Sequence, residues 1–139
     1  AGTQRIAQVV GFGAAIGYLD EVGMDRIAAW EHRLGAQMLA GLDSMPGVRI
    51  LGPAADSGVQ RTGTVPFAVD GVHPHDVGQF LDSRGVAVRV GHHCAEPLHR
   101  FLGVSASTRA SAYLYNTTQD IDALLNALSD VRGFFGVKA

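Results

Sequence analysis

The clearest pattern in the sequence is a C-terminal run of apolar residues at helical spacing. Thr117 and Asp120 form a capping-box pattern at the start of this run. The run predicts a helix with one buried face, formed by Ile121, Leu124, Leu125, Leu128, Val131 and Phe135. Such a helix depends on another element to cover its apolar face, so the rest of the chain must supply a partner layer.

Helical spacing recurs elsewhere in the chain. The apolar residues of 6–19 predict a buried helix, and those of about 24–42 predict a second amphipathic one. A third helix begins at Pro74, which is tolerated at a first helical position, and ends at Gly85. A short helical turn is predicted over 97–103, between a proline and a glycine.

Four short strands are predicted between these helices, over 48–51, 64–69, 86–89 and 108–114. Pro66 lies in the second of them and favours an edge position or a bulge, because proline cannot donate a ladder hydrogen bond. The resulting order is helix, helix, strand, strand, helix, strand, strand, helix. This order predicts an α+β fold in which helices cover one face of a small, mostly antiparallel sheet.

Composition and charge narrow the possible functions. The 139 residues suit one domain, and 47% hydrophobic with 17% charged residues is typical of a folded one. A net charge of −2 gives no electrostatic basis for binding nucleic acid or a membrane surface. No apolar run approaches the ~18 residues of a spanning helix. A single cysteine excludes an internal disulfide and favours a reducing cytoplasm.

Two details concern the ends of the chain. The chain opens with Ala1 rather than Met and shows no signal-peptide pattern, which suggests a processed, trimmed or partial polypeptide. The basic residues are ten arginines and one lysine, Lys138, next to the C-terminus. Chemistry that needs a buried Schiff-base lysine must therefore obtain it from elsewhere.

The most informative stretch is 89–97, Arg-Val-Gly-His-His-Cys-Ala-Glu-Pro, which places Cys94 in a loop directly after a strand. A thiol reacts as the thiolate, and nearby Arg89, His92 and His93 favour that form. A cysteine of unknown setting is more often buried and inert. Here the polar neighbours and the flanking glycine and proline favour exposure.

A metal site is the other chemistry that this stretch could support. Its ligands would be His92, His93, Cys94 and His99. Adjacent ligands are hard to turn onto one ion, and the spacing matches no common zinc pattern. We therefore expect no metal.

Arg109 is flanked by small residues inside a predicted strand and needs a partner. Its planar fork suits either an internal carboxylate or the carboxylate of a ligand, and the sequence leaves both open. At the start of the chain, Gly2 and Thr3 could offer backbone N–H groups and a hydroxyl to a phosphate. Most residues of this kind simply cap a helix.

Together these stretches resemble the cysteine desulfurases of the Suf type, the group that includes selenocysteine lyases. The resemblance covers essentially the whole chain. It rests on Arg-x-Gly-His-His-Cys at 89–94 and Thr-Arg-Ala-Ser at 108–111, which are highly specific in combination. Further matches lie at 1–3, 71–75 and 115–117.

The resemblance implies the fold of a fold-type I pyridoxal-phosphate enzyme. Residues 1–22 then correspond to the connecting helix region from a large domain, and 23–139 to the small C-terminal α+β domain. The resemblance also implies a homodimer, in which Gly2 and Thr3 reach the phosphate of pyridoxal phosphate in the neighbouring subunit.

The family's chemistry gives a role to four further residues. By resemblance, Cys94 takes sulfur from L-cysteine as a persulfide and L-alanine leaves. Arg109 binds the substrate carboxylate, while Arg89 and His92 line the mouth of the site and tune the thiol. The sulfur then passes to an acceptor protein of the Suf system for iron–sulfur cluster assembly.

Two features depart from the family pattern. Glu96 stands where glutamine is frequent and adds a negative charge near the thiol. The lysine that would hold the cofactor is missing, so we expect a fragment that lacks its N-terminal large domain, binds no cofactor covalently and is inactive alone. The alternative is a stand-alone sulfur carrier or protein-interaction module that uses Cys94 without pyridoxal phosphate. A plain structural domain is a third possibility and predicts no special thiol reactivity.

Overall fold

The structure, a computed structural model, describes residues 2–54, 57–59 and 61–137. Ala1 and Lys138 therefore lie outside the described residues. The helices and strands of the described part are α1 Ile6–Val22, α2 Met24–Asp43, β1 Val48–Ile50, β2 Thr64–Val69, α3 Pro74–Ser83, β3 Arg89–Gly91, α4 Glu96–Phe101, β4 Ser107–Ser111 and α5 Thr118–Phe134.

The four strands form one sheet in the order β1-β2-β4-β3, and every neighbouring pair is antiparallel. Side chains of a strand alternate between its two faces. Val65, Phe67 and Val69 of β2 are buried on one face, where they join the buried residues of α2, α3 and α5 in a single cluster. The predicted α+β fold, with helices on one face of an antiparallel sheet, is confirmed.

The capping box of α5 forms as the sequence predicts. The Asp120 carboxylate accepts the Thr117 N–H at 2.8 Å, and the Thr117 hydroxyl accepts the Asp120 N–H at 3.4 Å. The first of these bonds contributes most to lowering the pKa of Asp120. Phe135 follows the end of the helix and is half exposed, but most of the predicted stripe is buried, namely Ile121, Leu124, Leu128 and Val131.

Helix α1 forms, but the prediction that it is buried is wrong for this chain. None of its residues is buried, and Val9 and Phe12 are 62% and 68% exposed. Only its C-terminal end, at Leu19 and Val22, is half-buried. No described residue covers the rest of this apolar helix. None of the described helices has the length and apolar character needed to cross a membrane.

The prediction that Pro66 marks an edge strand or a bulge is also wrong, because β2 lies inside the sheet. Pro66 lies one pair beyond the end of β1, where its carbonyl accepts the Leu51 N–H at 2.9 Å. Proline has no N–H to return. The Leu51 carbonyl instead accepts from Arg61 Nη2 at 3.1 Å, so a guanidinium replaces the missing donor. Burial of that guanidinium lowers its pKa.

Three strands differ in their bounds from the sequence prediction, and β1 ends at Ile50 rather than at residue 51. β3 covers Arg89–Gly91 rather than 86–89, and β4 ends at Ser111 rather than at residue 114. Pairing decides these bounds, since β3 pairs only with Ser107–Arg109 of β4, and the pairing of β4 with β2 ends at Ser111 opposite Thr64. Arg89 therefore stands at the start of a strand rather than at its end.

Candidate functional site

The candidate site lies where β3 and β4 run side by side. Arg89 lies opposite Arg109, and Gly91 lies opposite Ser107. Residues directly opposite each other share a face of the sheet. Strand alternation places Ser107 and Arg109 on the face away from the buried Ala110. This corner of the sheet therefore presents two arginines on the face that α2, α3 and α5 leave uncovered.

Arg109 has no ion pair among the described residues. The two pairs that the described part of the chain forms are Arg84–Asp130 and Arg100–Glu96. The Nε atom of Arg109 is buried and has no hydrogen-bond acceptor in residues 2–54, 57–59 and 61–137. Of the two partners that the sequence leaves open, the described residues thus provide no internal carboxylate.

The loop after β3 has a strained backbone. His93 and Cys94 have φ angles of 53° and 62°, in the left-handed region that residues other than glycine avoid. Each such residue costs roughly 1–2 kcal/mol. The Ala95 N–H closes the turn by donating to the His92 carbonyl at 2.8 Å. Contacts elsewhere must offset this strain for the turn to persist.

Cys94 lies in this turn with its side chain exposed. The exposure that the sequence favours is confirmed, and the inert buried setting does not apply. Glu96, the residue expected to place a negative charge near the thiol, pairs with Arg100 at 2.6 Å one turn along α4. This exposed pair directs the Glu96 carboxylate along the helix and reduces its net charge effect on the loop.

A buried hydroxyl ties the loop to β4 and α4. His93 Nε2 lies 3.1 Å from the Ser107 Oγ atom, and His99 Nε2 lies 2.9 Å from the same atom. The other ring nitrogen of His99, Nδ1, is 2.9 Å from the Ala95 carbonyl oxygen. Each bond contributes about 1 kcal/mol. These bonds together are therefore comparable to the strain of the turn.

His92 takes the opposite direction, toward solvent. Its Nε2 atom lies 2.7 Å from the Ser105 carbonyl oxygen, and its ring meets the edge of His99 at a centroid distance of 5.6 Å. His92 therefore fastens the exposed side of the loop to the segment before β4.

The pKa of His93 is lowered. Burial is the main cause, and the charge of Arg109 adds to it, followed by smaller effects of His99 and His92, while a hydrogen bond that the ring donates to the Ser107 backbone partly opposes the shift. The lowered pKa favours the neutral form of the His93 ring. The positive charge of Arg109 thus acts on the ring of His93 in this loop.

The described residues do not make a complete pyridoxal-phosphate site. A covalent anchor for this aldehyde needs an amine, and the sole lysine of the sequence lies outside the described residues. Gly2 and Thr3 are exposed ahead of α1, and no hydrogen bond among the described residues links them to the Cys94 loop. Their role toward a phosphate stays a prediction. No group of three or more described His, Cys, Asp or Glu side chains could hold a metal ion.

Sequence reasoning missed the role of Ser107 and considered His99 only as a metal ligand. The alternation of β4 could have placed Ser107 on the same face as Arg109, two positions later. His99 gave no comparable signal, because α4 is only six residues long and too short to show a periodic pattern.

Comparison with known proteins identifies the family. The model of class-V aminotransferases matches residues 1–124. A probable cysteine desulfurase from Streptomyces coelicolor is 51% identical over 136 residues, which are 98% of this chain and 32% of that protein. One from Halalkalibacterium halodurans is 47% identical over 135 residues, 97% of this chain and 32% of its own length.

Solved structures show the same relationship. The apo cysteine desulfurase of Thermococcus onnurineus superposes with a TM-score of 0.89 at 37% identity, over 96% of this chain and 33% of that one. The cysteine desulfurase CsdA of Escherichia coli superposes at 0.86 and 33% identity, over 96% and 32%. The chain thus spans about a third of the length of these relatives. It belongs to the class-V aminotransferase family, and its fold is that of the C-terminal domain of cysteine desulfurases.

Proposed function

We propose that this chain is the C-terminal part of a cysteine desulfurase and that Cys94 accepts sulfur from L-cysteine as a persulfide. The observation that carries this proposal is the exposed Cys94 in a strained turn that is hydrogen-bonded to the strand bearing Arg109. A nucleophile held outward in this way is accessible to a small substrate. The names of the relatives support the same reaction.

The two arginines give the site its substrate class. An unpaired, half-buried Arg109 opposite Arg89 suits a carboxylate, which the planar fork of a guanidinium binds through two hydrogen bonds. We assign Arg109 to the α-carboxylate of L-cysteine. Arg89 and His92 line the mouth of the site.

The sulfur transfer balances without a further reactant. The Cys94 sulfur attacks the substrate sulfur, so that an S–S bond forms and the substrate C–S bond breaks. The electron pair of that bond stays with the three-carbon skeleton, which takes up a proton and leaves as L-alanine. L-cysteine and the Cys94 thiol thus become L-alanine and the Cys94 persulfide.

Pyridoxal phosphate, when bound in the parent enzyme, supplies the electron sink for the three-carbon skeleton. The lysine that binds it must come from a segment other than the described one. We therefore propose that the chain works together with an N-terminal large domain and is inactive alone. We also propose a cytoplasmic homodimer in which Gly2 and Thr3 approach the cofactor phosphate of the partner subunit.

The acceptor of the persulfide sulfur is, in this proposal, a protein of the Suf system for iron–sulfur cluster assembly. Support for the Suf assignment comes from the combination of the Arg-x-Gly-His-His-Cys and Thr-Arg-Ala-Ser strings. Exposure of Cys94 is what such a protein-to-protein transfer requires.

The experiment uses a polypeptide in which this chain follows its N-terminal domain. With L-cysteine, we expect stoichiometric L-alanine, and Cys94→Ala should abolish sulfur transfer while cofactor absorbance stays unchanged. Ser105→Ala is the matched control, since Ser105 contributes only its carbonyl. If the polypeptide shows no cofactor absorbance and no alanine but still carries sulfur on Cys94, the sulfur-carrier alternative is correct.

A further inference from the structure

The hydrogen bonds beneath Cys94 determine where the protons of three side chains lie. A carbonyl oxygen can only accept, so the bond to Ala95 requires a proton on His99 Nδ1. In a neutral ring the other nitrogen, Nε2, is then an acceptor. The Ser107 hydroxyl is therefore the donor in its hydrogen bond with His99 Nε2.

This assignment continues to His93. The Ser107 hydroxyl has one hydrogen, which it gives to His99, and its remaining lone pairs can only accept. His93 Nε2 must then carry a proton and donate it to Ser107 Oγ. His93 is left with an unprotonated Nδ1. One direction of donation thus runs from His93 through Ser107 to His99 and ends at the Ala95 carbonyl.

This assignment of donors and acceptors applies to the neutral rings of His99 and His93. His99 is only 5% exposed, and neither ion pair of the described residues includes a histidine. The charged or titratable groups that act on His93 are Arg109 from β4, His99 from α4 and His92 from its own loop. None of them is an acid, so no described carboxylate stabilises an imidazolium there.

The same bonds connect the Cys94 turn to the rest of the domain. His93 and Cys94 are adjacent left-handed residues, but their side chains have different environments: that of His93 is partly buried and that of Cys94 is exposed. The bond from His93 to Ser107 joins this turn to a fully buried residue of β4. If His93 loses this bond, the strained backbone keeps only restraints outside β4, namely the local turn hydrogen bond, the contact of His92 with the Ser105 carbonyl, and α4.

We propose that Ser107 and His99 are positioning residues that fix His93 as an Nε2-protonated anchor, and that this anchor keeps the turn left-handed with the Cys94 thiol outward. The inference deepens the proposed function and rests on it only in taking Cys94 as the reacting group. The opposing account is that the turn is fixed by its own backbone and that the histidine bonds are incidental.

The first test measures tautomers in the 139-residue chain with ¹⁵N-labelled histidine. Long-range proton–nitrogen correlation spectra should show His93 protonated at Nε2 and His99 at Nδ1, each as a single species. A His93 ring protonated at Nδ1, or averaged between both forms, would overturn the proposal.

The second test removes the bridging hydroxyl. Ser107→Ala should mix the His93 tautomers and shift the backbone couplings of His93 and Cys94 away from left-handed values. Ser105→Ala, the same exchange in the neighbouring segment, should leave both signatures unchanged. Intact couplings in Ser107→Ala would show that the backbone holds the turn unaided and would reject the anchor.

Two variants of His93 test whether its N–H donor anchors the turn. They also serve if Ser107→Ala does not fold. His93→Gln keeps an N–H donor at the end of the side chain, whereas His93→Leu does not. We expect the left-handed couplings to survive in His93→Gln and to be lost in His93→Leu. If both variants keep the left-handed couplings, the anchor is contradicted. Equal loss of the couplings in both variants also contradicts it.

Sulfur transfer provides the last comparison, in the polypeptide that includes the N-terminal domain. We expect Ser107→Ala to slow Cys94 persulfide formation by roughly fivefold, the factor that corresponds to one hydrogen bond. An unchanged rate would remove the functional part of the proposal. The spectra do not depend on sulfur chemistry, so a failed desulfurase assay with intact tautomers would reject the proposed function and not the anchor.

Discussion

Arg89 of β3 and Arg109 of β4 lie directly opposite each other in an antiparallel pair, on one face of the sheet. Like charges in directly opposite positions destabilise a sheet. No described carboxylate pairs with Arg109, and its Nε atom is buried without an acceptor. An anion bound beside the two arginines would relieve their repulsion and accept a hydrogen bond from Arg109 Nε. The folded domain thus contains a destabilising pair of arginines that a bound carboxylate would stabilise.

This arrangement predicts that Arg109 serves the substrate rather than the fold. Removing one member of a buried ion pair costs ~3–5 kcal/mol, but Arg109 has no such partner among the described residues. We expect Arg109→Ala to change the free energy of unfolding of this chain by less than about 1 kcal/mol. In the complete polypeptide the same change should weaken substrate binding about 10- to 100-fold, the loss of a charge-assisted hydrogen bond.

Urea unfolding and substrate titration measure the two effects. Arg84→Ala is the control, because it removes an exposed arginine whose ion pair lies away from the site. A large loss of stability with unchanged substrate affinity would reject the role of Arg109.

The lowered pKa of His93 predicts how stability depends on pH. Below the ordinary histidine range, about pH 6.5, the unfolded chain binds a proton that the folded chain does not yet bind at His93. Stability therefore rises with pH in this window and falls as the solution is acidified. We expect His93→Gln to flatten the slope of unfolding free energy against pH. Equal slopes for the two chains between about pH 5 and 7 would contradict the assignment.

The exposed apolar surface of α1 should bind a hydrophobic dye without contributing to the stability of the domain. No residue of α1 is buried, and Val9 and Phe12 are 62% and 68% exposed. Val9→Glu with Phe12→Glu should cut the binding of a hydrophobic dye by about half or more, with the melting temperature nearly unchanged. The control is Ala29→Glu with Ala36→Glu, which adds the same charge to the exposed side of α2. Equal dye binding by both variants would count against this surface.

Much of the fold could be predicted from the sequence because its signals are local. The capping box of Thr117 and Asp120 and the spacing of the stripe beginning at Ile121 specify α5 without reference to any other element. The proline at the start of α3 and the left-handed Gly85 after its end act in the same way. Such features depend on a few neighbouring residues, so one sequence suffices to recognise them.

The errors concern features that distant residues decide. Pro66 lies in an inner strand because Arg61, which the sequence does not mark as a donor, bonds to the Leu51 carbonyl. The position of Cys94 could be predicted from its motif, but its left-handed turn could not. That turn depends on Ser107, which only pairing of β3 with β4 brings close.

The cofactor prediction follows from the lysine content. Incubated with pyridoxal phosphate and reduced with borohydride, this chain should carry no stoichiometric adduct on any residue from 2 to 137, because the sole lysine is Lys138. Peptide mapping by mass spectrometry locates any adduct and separates Lys138 from internal sites. The polypeptide with its N-terminal domain should carry one adduct, outside this chain. A stoichiometric adduct inside residues 2–137 would contradict the proposed division of the active site.

The central claim is that Cys94 receives the substrate sulfur, and the most direct test is the mass of the peptide that contains it. The complete polypeptide is mixed with sulfur-labelled L-cysteine for a single turnover, trapped with an alkylating reagent and digested. We predict that the Cys94 peptide gains one labelled sulfur atom in step with the L-alanine formed, and that Cys94→Ala forms no such persulfide. L-alanine produced at an unchanged rate by Cys94→Ala, or labelled sulfur found on another residue, would contradict the account.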